Sequence, residues 1–231
     1  MAQFTSNDDQ STFLLRVAGY SLLLLGLFDC VYIFIPANFT NPAWEFQMIG
    51  QIVERVPVPL LGLVLIFYGD DSSRSRLEEV VLKLLSWLAL LLGLLFILLI
   101  PLGIVNTWRI DNQNTAQINK QASERMLQLK QVEDKLNNAK TNEEFKLLFS
   151  SINSQGRAPK IDNPLEYRKQ LFLELSKAKK IVENQVIATK ASTRLALLKN
   201  SVKWNLGALV SGFAFVWMWH ATAWTRRPWR N

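Results

Sequence analysis

The residues of this 231-residue sequence that stand out as candidates for chemistry are Asp29, Cys30 and His220, and the histidine lies far from the other two along the chain. Asp29 lies inside an apolar run, where an ionisable group is costly and by default indicates an ion pathway or a charged partner. A proton relay would need a second titratable group at similar depth, and the other apolar runs offer none near their middle. We therefore interpret Asp29 as an intramembrane polar contact between helices, and a small transporter or membrane enzyme that uses it remains an alternative.

The single cysteine, Cys30, and the single histidine, His220, cannot form a disulfide or a zinc cluster within one chain. His220 has no nucleophile or orienting carboxylate nearby in sequence, and interface anchoring explains it better than catalysis. The sequence also contains no glycine-rich phosphate loop, zinc-protease motif or nucleophile elbow. We therefore expect no catalytic residue, no metal site and no cofactor, and the chain is not expected to be an enzyme.

Long apolar runs are the elements that must position these residues, because about 20 apolar residues cross the hydrocarbon layer of a bilayer as a helix. The second run is the weakest: Gln51, Glu54 and Arg55 fall in its first third, so a re-entrant or interfacial segment is an alternative. A short loop with Asn41, Pro42 and Trp44 precedes it. The predicted spans cover residues 17–35, 49–68, 84–105 and 204–224, each within a few residues.

The 98 residues from Asn106 to Lys203 carry 18 Lys or Arg and 10 Asp or Glu, a net charge of +8. Thr141 and Glu144 resemble a capping box, Asn163-Pro164 indicates a helix start, and residues 154–162 would reverse the chain. The segment is therefore predicted to be an antiparallel, coiled-coil-like helical hairpin. Its apolar residues approximate two heptad seams: Ala122, Leu129, Val132, Leu136 and Ala139, then Leu171, Leu175, Ala178, Val182, Thr189 and Ala196.

The predicted fold class is thus an all-α membrane protein with about four transmembrane helices and this hairpin between the third and fourth. Its domains are a three-span region at 1–105, a basic extramembrane hairpin at 106–203, and a last span with a basic tail at 204–231. Basic residues in short loops favour cytoplasmic termini and a periplasmic or lumenal hairpin. The membrane would be a bacterial plasma membrane or a thylakoid.

Two further groups of residues are candidates for contacts rather than chemistry. Small residues in the last span would let another helix approach closely, and arginines after it would contact lipid headgroups. These residues are Gly207, Ala208, Ser211 and Gly212 for helix packing, and Arg226, Arg227 and Arg230 for headgroups. The basic hairpin has few aromatic residues and interleaves its basic residues with acidic ones, so no nucleic-acid partner is expected.

The segment Asn41-Pro42-Ala43-Trp44-Glu45, followed by Pro57-Val58-Pro59-Leu60-Leu61-Gly62, resembles the HpsJ-like cyanobacterial membrane proteins associated with hormogonium polysaccharide production. The general layout is similar too. The resemblance implies a membrane protein in or beside an exopolysaccharide synthesis and export system, and it carries no catalytic motif to transfer.

The hypothesis that follows is a polytopic accessory or scaffold protein. Its expected partners are membrane lipids and other membrane proteins, bound through the spans and the basic hairpin, with anionic polysaccharide as a further candidate. An accessory or assembly subunit of a thylakoid photosynthetic complex is an alternative that the same features fit.

Overall fold

The structure is a computed structural model that describes residues 2–68, 75–139, 144 and 164–226, with side chains described from Gln10 onward except at positions 164, 165 and 167. The described residues are almost entirely helical and contain no strand, which agrees with the predicted all-α class. The helices are α1 (Ala2–Ile33), α2 (Pro42–Arg55), α3 (Pro57–Phe67), α4 (Arg76–Asn138) and α5 (Pro164–Ala221), and a short 3-10 helix follows at Ala223–Arg226.

Three of the described helical segments are long and apolar enough to cross a membrane: Gln10–Ile33, Pro42–Phe67 and Arg76–Asn138. The third contains the predicted span 84–105, and the first two overlap the predicted spans 17–35 and 49–68 but end at Ile33 and Phe67. The predicted fourth span lies at the end of α5 and is not among the three. Its tryptophans, Asn205 and His220 lower its mean hydropathy relative to the leucine-rich run in α4.

The second span begins earlier than the sequence indicated. Asn41 caps α2, because its side-chain oxygen accepts a hydrogen bond from the Ala43 backbone N–H at 3.0 Å, and Pro42 occupies the first helical position. The expected loop at Asn41, Pro42 and Trp44 is therefore wrong for Pro42 and Trp44, which are helical. Pro57 then starts α3 directly after α2, so that the two helices together form the candidate span.

The chain divides into two compact units: Met1–Ile110 with Leu197–Asn231, called the membrane unit below, and Asp111–Ala196, called the arm. Helices α4 and α5 contribute to both. The predicted capping box at Thr141 and the predicted reversal at 154–162 lie outside the described residues. Helix α5 begins at Pro164, as the Asn163-Pro164 pair indicated.

In the membrane unit, α1 and α3 run antiparallel and approach closely at a pair of glycines. A Cβ atom on Gly19 would lie 2.7 Å from the Gly62 carbonyl oxygen, and one on Gly62 would lie 3.0 Å from the Gly19 carbonyl oxygen. Neither backbone can shift cheaply at those distances. Seven residues along α1, Gly26 faces the Pro59 ring at an ordinary contact distance of 3.6 Å.

Helices α4 and α5 pair antiparallel in the same unit and build most of its core. The rings of Phe96 and Phe215 stack with centroids 5.7 Å apart. Gly93 and Gly212 face each other beside them, and a Cβ on Gly212 would lie 3.2 Å from the Gly93 carbonyl oxygen. One buried cluster joins residues of α2, α3, α4 and α5: Ile49, Val53, Val56, Leu63, Ala89, Phe96, Leu99, Ala208, Phe215 and Met218.

In the arm, α4 and α5 again meet in opposite chain directions. Lys179 Nζ lies 2.7 Å from Glu133 Oε2, and Arg194 Nε lies 3.8 Å from Asp111 Oδ2 further along both helices. The most buried side chains between the helices include three residues of the predicted seams, Leu136, Leu171 and Leu175.

The heptad spacing predicted for the α5 seam fails beyond Val182. Thr189 and Ala196 are exposed, and Val186 and Thr193 take the inward positions instead. The inward residues thus recur at eleven-residue intervals, as in Leu171, Val182 and Thr193. Eleven residues per three turns is close to the natural pitch of an α-helix, so the left-handed supercoil that a strict heptad imposes is not required.

Gly19→Ala is expected to destabilise the membrane unit, whereas Gly26→Ala on the same helix is a matched control. Both changes gain the same helix propensity, but only the first forces a methyl group into a backbone carbonyl. The expected difference in unfolding free energy is about 1–3 kcal/mol, measured by thermal unfolding in detergent. Equal stability of the two variants would contradict the close α1–α3 contact.

Candidate functional site

Asp29 lies near the end of α1 and pairs with Arg55 at the end of α2. Arg55 Nη1 lies 2.8 Å from Asp29 Oδ1 and also donates to the Asp29 backbone carbonyl at 3.4 Å. The Asp29 side chain is 49% exposed and the Arg55 side chain 37%. Because the pair joins the last turns of two helices, it fixes how α1 and α2 meet.

A second polar contact joins α2 to α5. Glu54 Oε1 accepts a hydrogen bond from Lys203 Nζ at 2.6 Å and another from Trp204 Nε1 at 3.0 Å. The indole of Trp204 also packs against Gly50, where any larger side chain would collide with the ring. The Glu54 carboxylate therefore holds the Trp204 indole through a hydrogen bond, and Gly50, which has no side chain, leaves room for the ring.

Glu45, Asn106 and Arg109 form a third contact, between α2 and α4. Asn106 is fully buried, and its Nδ2 donates to Glu45 Oε2 at 2.8 Å while its Oδ1 accepts from Arg109 Nη1 at 3.3 Å. The next residue along α4, Thr107, donates from Oγ1 to Ser201 Oγ of α5 at 2.8 Å. This layer satisfies buried polar groups and ties three helices together at one level.

A fourth contact lies where α5 ends beside the beginning of α4. The buried hydroxyls of Ser86 and Thr222 are 2.8 Å apart. Arg226 Nη1 donates to Ser86 Oγ and, at 2.7 Å, to the Trp219 carbonyl oxygen. The guanidinium carbon also lies 4.4 Å from the centroid of the Trp219 ring, a cation–π distance.

The predicted headgroup residues are therefore only partly described. Arg226 is engaged within the protein through Nη1, and its contact with lipid stays a prediction. Arg227 and Arg230 lie outside the described residues.

The structure places the four small residues predicted for helix packing on two different sides of α5. Gly207 lies against Val53 of α2, and Gly212 against Gly93 and Ile97 of α4. Ala208 is fully buried and Ser211 nearly so, and the Ser211 hydroxyl donates to the Gly207 carbonyl oxygen at 2.7 Å. Helix α5 thus has close neighbours on two faces.

Sequence reasoning missed the partners in these contacts. Ser86 and Asn106 could have been identified from the sequence, because they are polar residues at the two ends of the most apolar run. Their partners Thr222 and Glu45 lie 136 and 61 residues away, and only the fold brings them together. Within the described ranges, no group of three His, Cys, Asp or Glu could hold a metal ion. The chemistry that the contacts support is the pairing of helices.

Replacing Asn106 by Ala should cost about 1–3 kcal/mol of stability, because it strips a hydrogen-bond donor from Glu45 and an acceptor from Arg109 in a buried place. Asn112→Ala is the control: the residue is exposed on the same helix and should change stability by less than about 0.5 kcal/mol. Both variants are compared by thermal unfolding in the same detergent. An unchanged melting temperature for the Asn106 variant would show that the layer is not a structural contact.

Comparison with known proteins adds one relationship. The model of the HpsJ-like protein family matches residues 10–223, which include every described α-helix apart from the first residues of α1. No curated protein and no solved structure matches the chain. Since the match extends over most of its length, the chain belongs to the HpsJ-like protein family.

Proposed function

We propose that this protein is a non-catalytic, polytopic membrane accessory or scaffold protein, which holds a membrane assembly together and recruits a partner through its arm. One observation carries the proposal: charged side chains within the membrane unit are used to join its helices. Asp29 pairs with Arg55, and Glu54 with Lys203 and Trp204. Groups committed in this way position helices rather than reactants.

The proposal includes a fourth span at the end of α5. Its support is that Ala208, Phe215 and Met218 belong to the same buried cluster as residues of the second and third candidate spans. A helix that contributes side chains to the core of a membrane-embedded unit lies in the same bilayer as the other helices, even where tryptophans lower its mean hydropathy. The antiparallel pairs of the arm, such as Glu133 with Lys179, support a helical hairpin between spans three and four.

We further propose that the assembly belongs to cyanobacterial exopolysaccharide synthesis and export. The resemblance to HpsJ-like proteins and the family match support this. The net charge of +8 between Asn106 and Lys203 favours acidic partners for the arm, because opposite charges steer encounter.

Four spans with cytoplasmic termini predict which sites a membrane-impermeant thiol reagent reaches in intact cells. In a Cys30→Ser background, Ser154→Cys should be labelled from outside, whereas Ser6→Cys and Asn231→Cys should react only after the membrane is permeabilised. Labelling of the C-terminal cysteine together with Ser154→Cys would instead mean that α5 does not cross. The inverted pattern would overturn the proposed orientation.

Removing the arm should abolish function without destroying the membrane unit. Ile110 and Leu197 share a buried cluster, so a linker of about eight Gly and Ser residues can join them in place of Asp111–Ala196. In cells that lack their own copy, this variant should accumulate in the membrane yet restore neither exopolysaccharide secretion nor the co-purification of polysaccharide enzymes. Full secretion would contradict the scaffold proposal.

Asp29→Asn tests the alternative that Asp29 carries transport or catalysis. The amide oxygen can still accept from Arg55, so secretion and abundance should stay near the wild-type level. Lost secretion at normal abundance and assembly would favour a transporter or membrane enzyme.

Recovery of photosystem subunits instead of polysaccharide enzymes with the wild-type protein would point to the photosynthetic alternative.

A further inference from the structure

Helix α5 has apolar side chains on two opposite faces within the arm. The inward face carries Leu171, Leu175 and Val182 and packs against α4. The outward face carries four large apolar side chains that are each more than half exposed: Leu173 (52%), Ile181 (54%), Ile187 (67%) and Leu195 (55%). At 100° per residue these four fall within about one third of the helix circumference, and they span roughly 33 Å along its axis.

The pairing with α4 does not account for this outward face. Among the described residues of the arm, α4 has a single large apolar side chain that is similarly exposed, Leu127 (60%). Single apolar residues are ordinary on a protein surface. The same third of the circumference also carries Lys177, Lys180 and Asn184, so this face alternates apolar and polar side chains along about six turns. It has the length and the width of a contact with a further helix.

The charges on and beside this outward face indicate what that helix would carry. From Lys177 to Ala196, α5 has five basic residues and one acidic residue, a net of +4. Lys177, Lys179 and Arg194 have carboxylate partners within the arm. Lys180 lies within this outward face, one residue before Ile181, and Lys190 lies about 60° beyond Ile187, at the edge of the face.

We infer that the outward face of α5, centred on Ile187 and Leu195, with Lys180 within it and Lys190 at its edge, binds an acidic amphipathic helix that belongs to another protein. A second copy of this chain fits poorly, since its own face would set lysines against lysines. A polysaccharide would use the lysines but would leave the leucine and isoleucine side chains uncovered. The inference rests on the proposed function and assigns a surface and a chemistry to the recruited partner.

The test uses the full-length protein in phosphatidylcholine nanodiscs and a labelled synthetic helix with Leu at heptad positions a and d and Glu at e and g. Binding should be saturable and should weaken as salt rises. The dissociation constant should rise at least tenfold in the Ile187→Gln, Leu195→Gln double variant and in the Lys180→Glu, Lys190→Glu double variant. Leu127→Gln is the matched control on the other helix and should bind as the wild type does.

Several outcomes would overturn the inference. They are no saturable binding, an equal loss in the Leu127→Gln control, binding that requires phosphatidylglycerol in the disc, and self-association that the same double variants abolish. Circular dichroism of each variant checks that the arm stays helical, and a photo-crosslinking residue at position 187 reports contact even where a double variant misfolds. If the synthetic helix does not bind but the arm deletion is inactive, the scaffold proposal stands and only this inference fails. If the arm deletion is fully active, the scaffold proposal fails whether or not the synthetic helix binds.

Discussion

Close approach of helix backbones is the constraint on which the membrane unit depends. Lipid tails are as apolar as leucine, so helices in a bilayer gain little by hiding apolar side chains from one another. What they gain comes from dense contacts and from hydrogen bonds. The glycine pairs Gly19–Gly62 and Gly93–Gly212 provide the first, one for α1 with α3 and one for α4 with α5. The buried Asn106 and the Ser86–Thr222 pair provide the second.

The polar contacts also limit how the helices can rearrange. Each of them links helices at a defined level, and a slide of one turn would separate Asn106 from Glu45 and leave a buried amide unsatisfied at a cost of about 1–3 kcal/mol. Contacts between apolar side chains alone would resist such a slide less, because one leucine can replace another in the contact after the shift. A unit with fixed register suits a protein that positions partners.

Apolar runs could be found from the sequence because burial in lipid adds up along a segment. The positions of partners could not, because Arg55 meets Asp29 only through the fold. The start of α2 was missed since Asn41-Pro42 fits a loop as well as a helix cap, and the cap becomes evident only from its hydrogen bond. Val186 rather than Thr189 takes the inward position because of how α5 packs against α4. The sequence of α5 alone does not show that packing.

The exposed side chains distinguish what surrounds each unit. In the membrane unit, Leu84 and Leu98 of α4 are 64% and 70% exposed, which water would penalise and lipid tails do not. In the arm, charged side chains dominate the surface and imply water, so exposed Ile187 and Leu195 carry a cost there that the lipid-facing leucines do not carry. Covering the outward face of α5 would relieve that cost, whereas a leucine among lipid tails has no such cost to relieve.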